Sequence, residues 1–592
     1  MILTILLGCL FLTVLELNKN TVWGWVLALL LLGGFLWLQR AALPGKAWYV
    51  RGAAWIGLIA ALALILVFTQ GPYKSRPAVE NAGGKTEIIT VADGQLRGVV
   101  TPDGQVEVFT GIPYVRPPVG ELRWREPQDP LPWEGVLEAD TFAPMSMQSR
   151  NPEFVNSMVD IIGYHDYTVK LNDSFRDLVS EDSLYLNVWR PAGAKTGLPV
   201  LVYVHGGSLT TGQPWYADYS GEGLAREGVI VVNMGYRLGV FGFLALPELA
   251  EESPHGTTGN YGLLDQIKAL EWVRDNIAAF GGDPDNVTLA GESAGSACVT
   301  ALCTSPLAKG LFRRAVGESS TVTSPRPTHS YRPLEEAFEA GQRVKERCGA
   351  ESLEQLRALD AEALNAATGD NHHITVDGYV LPRSPYESYA LGEHNEEAIL
   401  HGYNRTEGSL FILMDNARQS NYEKKIRSYF KEYADEVLTL YPAASDAEAK
   451  ASWIDIYSSI FFNYGHHCWT RQALDNGIPV YEYWFTKDNR RLGANHGGEE
   501  VYFYNNIPDP SKLYNDSDYA LEAVMRRYFV NFITCGDPNG EGLPIWERTE
   551  RPGQIMELGD SVGMTEERGT ALYEILDRFY GWEQTNREER SK

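Results

Sequence analysis

Three apolar runs without a charged residue, at 2–15, 22–38 and 53–68, fill most of the first seventy positions. With its flanks each approaches the roughly 20 residues a helix needs to cross a bilayer. The pattern predicts about three transmembrane helices, a membrane anchor over 1–70. Met1-Ile-Leu-Thr-Ile-Leu-Leu carries no basic residue ahead of its apolar run, which argues against a cleaved signal peptide. The loop between the second and third runs holds Arg40, Lys46 and Arg51, whereas the first has Lys19 offset by Glu16. Positive loops stay cytoplasmic, so three crossings place everything after residue 68 outside, despite Lys74 and Arg76.

Residues 71–84 are polar and rich in Gly and Pro, the composition of a linker, and leave 85–592 as one folded domain. There the pattern changes. Leu198-Pro-Val-Leu-Val-Tyr-Val204 and Gly228-Val-Ile-Val-Val-Asn233 are continuous apolar runs ending in Gly-rich or polar turns, as expected of strands covered on both faces. Leu263, Leu264, Ile267, Leu270, Val273 and Ile277 recur at helical spacing before Gly281-Gly282 stops the helix. Glu396 to Asn404 and Val480 to Phe485 read as further strands, and 325–370 and 410–475 as mostly helical, a helical cap. Alternating strands and helices of this kind predict an α/β fold with a mostly parallel central sheet.

Charge narrows the partners. After residue 77 the chain holds 45 basic and 76 acidic residues, a formal charge of −31. Such a field repels nucleic acid and disfavours acidic substrates. The six cysteines show neither CxxC pairs nor a dense framework, so neither a metal site nor a disulfide scaffold is signalled.

The chemistry gathers around Gly291-Glu292-Ser293-Ala294-Gly295. With Gly at 57 of 592 positions, glycines flank a given Ser in this way by chance about 1% of the time, so the pentapeptide counts only with its context. That context is an apolar strand, Asn286-Val-Thr-Leu-Ala290, delivering Ser293 onto a turn that exposes its hydroxyl, the setting of a serine nucleophile. A serine hydroxyl needs a base, and the base an acid to orient it. In chain order the acid comes next, and Glu407, beyond the strand ending at Asn404, is the best placed carboxylate. Asp377 competes, although its Asp-Gly pair is explained by a turn. After Glu407 only His466, His467 and His496 remain. His496, between glycine-containing segments in a polar loop, suits a base better than the other two, which adjoin a helical stretch. His205-Gly206-Gly207-Ser208, beside the N–H of Ala294, offers donors for an oxyanion, with His205 assigned to shaping that turn.

Together these segments resemble the type-B carboxylesterase family, which includes carboxylesterases, para-nitrobenzyl esterases and cholinesterases. The resemblance runs from Phe109-Thr-Gly-Ile-Pro-Tyr through Ser180-Glu-Asp-Ser-Leu-Tyr-Leu-Asn, His205-Gly-Gly, Asn260-Tyr-Gly-Leu-Leu-Asp265 and the serine pentapeptide to Thr534-Cys-Gly-Asp-Pro. It implies an α/β-hydrolase fold without cofactor, with Ser293, Glu407 and His496 as triad and the N–H groups of Gly207, Ser208 and Ala294 as oxyanion hole. Ser319 would be the serine near the acid. Three departures stand out. Ser208 occupies a frequent glycine position, Ser183 a frequent half-cystine, and 145–180 lacks the tryptophan that binds choline in cholinesterases, leaving Tyr164, Tyr167 or Phe175 as weaker cation–π faces.

The reading is a multi-pass membrane serine esterase, attached to the lipid bilayer, with an extracytoplasmic catalytic domain acting on a small-molecule ester. Amide, carbonate or thioester hydrolysis is the nearer alternative. A non-catalytic adhesion or docking protein on the same fold is the farther one.

Overall fold

The computed structural model describes the 592 residues except 151, 163–175, 194–195, 327–330, 369–371, 414, 416, 489–491 and 583–592, and the side chains of 159, 160, 162 and 368. The chain divides into two units. One comprises Met1–Arg76, Arg150–Leu178 and Pro510–Leu513; the other holds Pro77–Ser149, Val179–Asp509 and Tyr514–Lys592.

The first unit contains α1 (Ile2–Leu17), α2 (Val22–Ala41), α3 (Trp48–Phe68) and α4 (Glu153–Ile162). α2 and α3 are long and apolar enough to cross a membrane; α1, at 16 residues, is apolar but shorter. Two of the three expected spans therefore have full length. Phe11, Leu15, Ala28, Leu32, Phe35, Leu58 and Leu62 pack together along a seam, while Trp23, Leu30, Trp37, Ile56 and Phe68 face outward. These helices thus keep apolar residues on their outer faces as well as inside.

Polar residues close one end of this bundle. Asn20 Nδ2 donates to Leu66 O and Thr69 Oγ1, both at 2.9 Å, and Gln70 Nε2 donates to Asn18 Oδ1 at 3.1 Å. The Thr21 N–H reaches Thr69 O and the Gly71 N–H reaches Lys19 O, each at 2.9 Å. The α1–α2 turn and the exit of α3 therefore share that end, where these bonds satisfy carbonyls that helix termini leave open.

The second unit is built on a twelve-stranded sheet. Its strands are β1 (Gly84–Lys85), β2 (Val99–Val100), β3 (Val106–Pro113), β4 (Tyr185–Pro191), β5 (Leu198–Val204), β6 (Ile230–Met234), β7 (Gly282–Glu292), β8 (Arg314–Glu318), β9 (Ala398–Asn404), β10 (Val480–Phe485), β11 (Gln554–Leu558) and β12 (Val562–Glu566). The spatial order is β1-β2-β3-β4-β6-β5-β7-β8-β9-β10-β11-β12. From β6 to β11 every pairing is parallel, and antiparallel strands flank both sides. The Val-rich runs predicted as strands lie inside this parallel stretch because helices cover both faces. α5 (Tyr261–Asn276) buries Leu263, Leu264, Ile267, Leu270 and Val273, and after one further turn Gly281 adopts φ 91° and turns the chain into β7.

Two of the sequence signatures act structurally. Asp265 accepts Arg237 through Nε at 2.8 Å and Nη2 at 2.7 Å, a buried fork that also takes the Arg237 N–H at 3.0 Å. Burial raises the Asp265 pKa and the adjacent guanidinium opposes that rise. Arg123 grips Glu181 in the same bidentate manner, at 2.7 and 2.6 Å. Planar guanidinium suits both forks, and lysine would supply only a point charge.

Within 71–84, Tyr73–Lys74 pair with Arg176–Asp177, the Ala78 N–H donates to Asp140 O at 2.8 Å, and β1 pairs with β2. All six cysteines are free. At the departing half-cystine position, Ser183 Oγ donates to Ser146 Oγ at 3.0 Å, and Ser146 Oγ donates to Tyr236 O at 2.7 Å. A hydroxyl pair ties this loop where a disulfide could. The double variant Ser146→Cys, Ser183→Cys is expected to oxidise to a bridge and raise stability by about 3–4 kcal/mol through restricting a loop of roughly forty residues in the unfolded chain. Thiol titration and urea denaturation with and without reductant check this.

Candidate active site

The register of the parallel strands sets the site. Val204 lies opposite Gly291, Glu292 opposite Glu318, and Glu318 opposite Gly402. One residue beyond, the Ser293 N–H donates to Glu318 O at 2.8 Å and the Ser319 N–H to Gly402 O at 2.9 Å. Both serines then leave the sheet with positive φ, 55° and 57°. For a non-glycine residue each such conformation costs on the order of 1–3 kcal/mol and persists only where its surroundings enforce it.

Ser293 is the hinge between β7 and α6 (Ala294–Thr304), with φ 55° and ψ −125°. Gly295 explains the sharpness of the turn. A Cβ there would stand 2.0 Å from Val204 O, so only glycine lets the helix start against the end of β5. The loop after β5 closes on the same point. A Cβ on Gly206 would meet the carbonyl and carboxyl oxygens of Glu292 at 2.8 Å and Ser293 Cβ at 3.0 Å. Gly207 has φ 107° and Ser208 φ 55°, and Gly207 O accepts the N–H groups of Thr210 and Thr211. His205 shapes this loop: its ring stacks on Tyr236 at 4.6 Å, its Nδ1 lies 2.8 Å from Gly206 O, and Tyr236 OH donates to its carbonyl. Burial lowers the His205 pKa to about 4, which keeps the ring neutral.

His496 Nδ1 lies 2.7 Å from Glu407 Oε2. Glu407 is fully buried at the start of α7 (Gly408–Phe411), and its Oε1 accepts the Asn404 N–H at 2.7 Å. A carboxylate acceptor at Nδ1 assigns the proton there and leaves Nε2 a lone pair. That Nε2 is buried without a hydrogen-bond partner, 3.1 Å from Oε1 of Glu292, the residue before Ser293. Phe411 and Phe462 pack on the imidazole, with ring centroids 5.1 and 4.7 Å away. Phe462 belongs to a π-helical turn, Ser459–Asn463, preceding α8 (Tyr464–Asp475). The wider turn re-aims a side chain within a helical run, a common use of π geometry.

Ser319 faces a different carboxyl from the one expected. Its Oγ donates to Glu499 Oε1 at 2.7 Å, where Tyr483 OH also arrives at 3.2 Å, and Glu499 Oε2 takes Asn404 Nδ2. The competing candidates lie in other networks. His466 Nδ1 is 3.0 Å from His401 Nδ1, His467 Nδ1 is 3.0 Å from Glu567, and Asp377 accepts Thr257 and the N–H groups of Tyr379 and Leu381. Tyr164, Tyr167 and Phe175 lie outside the described residues.

Sequence reasoning missed a cluster of buried carboxyls. Burial, then repulsion from Glu500, Glu499, Glu407 and Glu318, holds the Glu292 pKa well above its ordinary value. Glu500, bonded by Tyr203 OH, and Glu318, bonded by Tyr504 OH at 3.1 Å, are raised for the same first cause. These groups are held in their neutral form, because several adjacent buried charges would be prohibitive. The pair Glu499-Glu500 directly after His496-Gly-Gly was the available signal. Among the described residues no group of His, Cys, Asp and Glu has the arrangement of a metal site.

The linkage has a definite sign. A carboxyl whose folded pKa is raised makes the folded state bind more protons. Its stability contribution is complete below about 4.5 and declines as pH rises from there toward the folded pKa. Glu500→Gln keeps an acceptor for Tyr203 and cannot ionise. The variant is expected to lose less stability than the natural protein between pH 5 and pH 8, measured by urea denaturation at each pH.

The sequence profile of the Carboxylesterase family matches residues 85–575. The chain is 34% identical over 503 residues to fumonisin B1 esterase of Sphingopyxis macrogoltabida, covering 81% of this chain and 87% of that one. It is 31% identical over 551 residues to human carboxylesterase 3, covering 87% and 92%. Among solved structures, a Geobacillus stearothermophilus carboxylesterase superposes with a TM-score of 0.70 at 31% identity, covering 83% of this chain and 100% of that one.

Proposed function

The chain belongs to the carboxylesterase family, and on that premise we propose that its ester hydrolysis runs through Ser293, His496 and Glu407. The observation that carries the proposal is the 2.7 Å contact between His496 Nδ1 and Glu407 Oε2, together with an unpartnered Nε2 beside the strained serine turn. His496 Nε2 takes the hydroxyl proton as Ser293 Oγ attacks the ester carbonyl, and Glu407 stabilises the imidazolium. Catalytic hydrogen bonds of this kind tighten when substrate binds. The N–H groups of Gly207, Ser208 and Ala294 receive the developing oxyanion. His496 then protonates the departing alcohol, and a water deprotonated by the same nitrogen releases the acid.

Phe411 and Phe462 give the base an apolar wall, and the excess of acidic side chains disfavours anionic esters. The apolar helices of the first unit support a membrane-bound enzyme, and the basic α2–α3 loop supports a multi-pass anchor whose opposite end, bearing the α1–α2 turn and residues 69–71, faces away from the cytoplasm.

Hydrolysis of a p-nitrophenyl ester series, acetate to decanoate, tests the assignment. Ser293→Ala and His496→Ala are each expected to lower kcat by about 10^4-fold or more, with KM changed little. Glu407→Ala is expected to lose on the order of 10^3–10^4-fold. An unaltered rate in that variant would overturn the assignment of the acid.

A further inference from the structure

Arg150–Leu178 interrupts the catalytic sequence yet belongs to the anchor unit. Its two stems are pinned together in the catalytic unit, where Met145–Ser146 pairs in parallel with Val179–Ser180 and Ser183 bonds Ser146. The described parts of the excursion end on the last turn of α1 and on the chain that leaves α3. Ser157 on α4, almost wholly buried at 1% exposure, donates its Oγ to Leu17 O at 2.8 Å, capping the last turn of α1. Beside it, Glu153 pairs with Lys19 of the α1–α2 turn at 3.2 Å.

The other end is held more tightly. The Arg176 N–H donates to Pro72 O at 2.9 Å, Nε to Gly71 O at 2.9 Å and Nη1 to Gln70 Oε1 at 3.0 Å. Its guanidinium lies 3.9 Å over the Tyr73 ring, and Arg76 forks onto Asp177 at 2.9 and 3.1 Å. Since Gln70 also bonds Asn18, the excursion joins the polar network that closes this end of the bundle.

We infer that the described parts of this excursion, 152–162 and 176–178, are a strap by which the catalytic chain grips its own membrane anchor, a second attachment besides the covalent connection after Arg76. The partner it fits is the polar end of the α1–α3 bundle, recognised by the carbonyls of Leu17, Gly71 and Pro72 and by Lys19, Tyr73 and Arg76. A second attachment to the same anchor acts at high effective concentration, so severing either one alone leaves the domain bound. The inference rests on the membrane reading above.

A protease recognition sequence placed in the exposed turn between Asn81 and Ala82 of the full-length protein tests it. Isolated membranes are cleaved, washed at moderate ionic strength and sedimented, with cutting verified by gel. The cut catalytic fragment is expected in the pellet. With Glu153→Lys, Ser157→Asp and Arg176→Glu combined, the pellet-to-supernatant ratio of the cut fragment is expected to fall by about tenfold or more. The released fragment should elute as a monodisperse species. Uncut protein that washes off in alkaline carbonate would overturn the membrane reading and the strap with it. If uncut protein stays, release of the cut natural chain overturns the strap alone, as does equal retention of the triple variant.

Discussion

The parallel register of four neighbouring strand ends is the constraint from which the catalytic unit follows. With Val204 opposite Gly291, and Glu292, Glu318 and Gly402 in step one residue further on, one further backbone bond on each side carries Ser293 and Ser319 past the sheet edge. Both must then turn with positive φ, since the following helix or loop starts at once. The close approach of Gly295 to Val204 and of Gly206 to Ser293 is the steric record of that crowding. Strain at the two serines is sustained by the sheet's own hydrogen bonding. A shift in register would change the face of every side chain and dissolve the site along with the core.

The same crowding dictates the electrostatics. Strand ends that converge bring Glu292, Glu318, Glu407, Glu499 and Glu500 into one buried region, and water is not there to separate them. Tyr203, Tyr483, Tyr504, Ser319 and Asn404 each supply a hydrogen bond, which satisfies oxygens without adding positive charge. Glu292, Glu318, Glu499 and Glu500 are therefore favoured as neutral acids near the imidazole, burial being the first cause of each raised pKa. A cation in their place would compete with the imidazolium for Glu407.

Much of this could be read from the chain. Leu198–Val204 announced itself as a strand because it is a continuous apolar run, Val480–Phe485 by its alternation, and helical spacing marked the helix before Gly281, which the fold buries almost throughout. Glu407 and His496 could be singled out by chain order and loop glycines. Their contact, and the choice of Glu499 as partner of Ser319, depend on strands brought together from positions far apart in sequence, which no local pattern encodes. The carboxyl cluster was hidden for a related reason: each glutamate looks like an ordinary surface residue until the sheet buries it. Residues 150–178 read as part of the catalytic domain because sequence position was the only guide to their unit.

The anchor shows how specificity arises where the hydrophobic effect offers little. On the proposed membrane placement, apolar faces gain almost nothing by meeting one another instead of lipid, so seam residues such as Ala28, Leu32 and Leu62 define closeness more than they define partners. Identity is set at the end of the bundle, where helices terminate and carbonyls need donors. Asn20 bonds Leu66 O and Thr69, Ser157 bonds Leu17 O, and Arg176 bonds Gly71 O. Asn20 and Arg176 come from short connecting segments, and Ser157 from the amphipathic helix α4. An unsatisfied buried carbonyl costs more than a missed apolar contact, so these few bonds fix which segments meet at this end of the bundle.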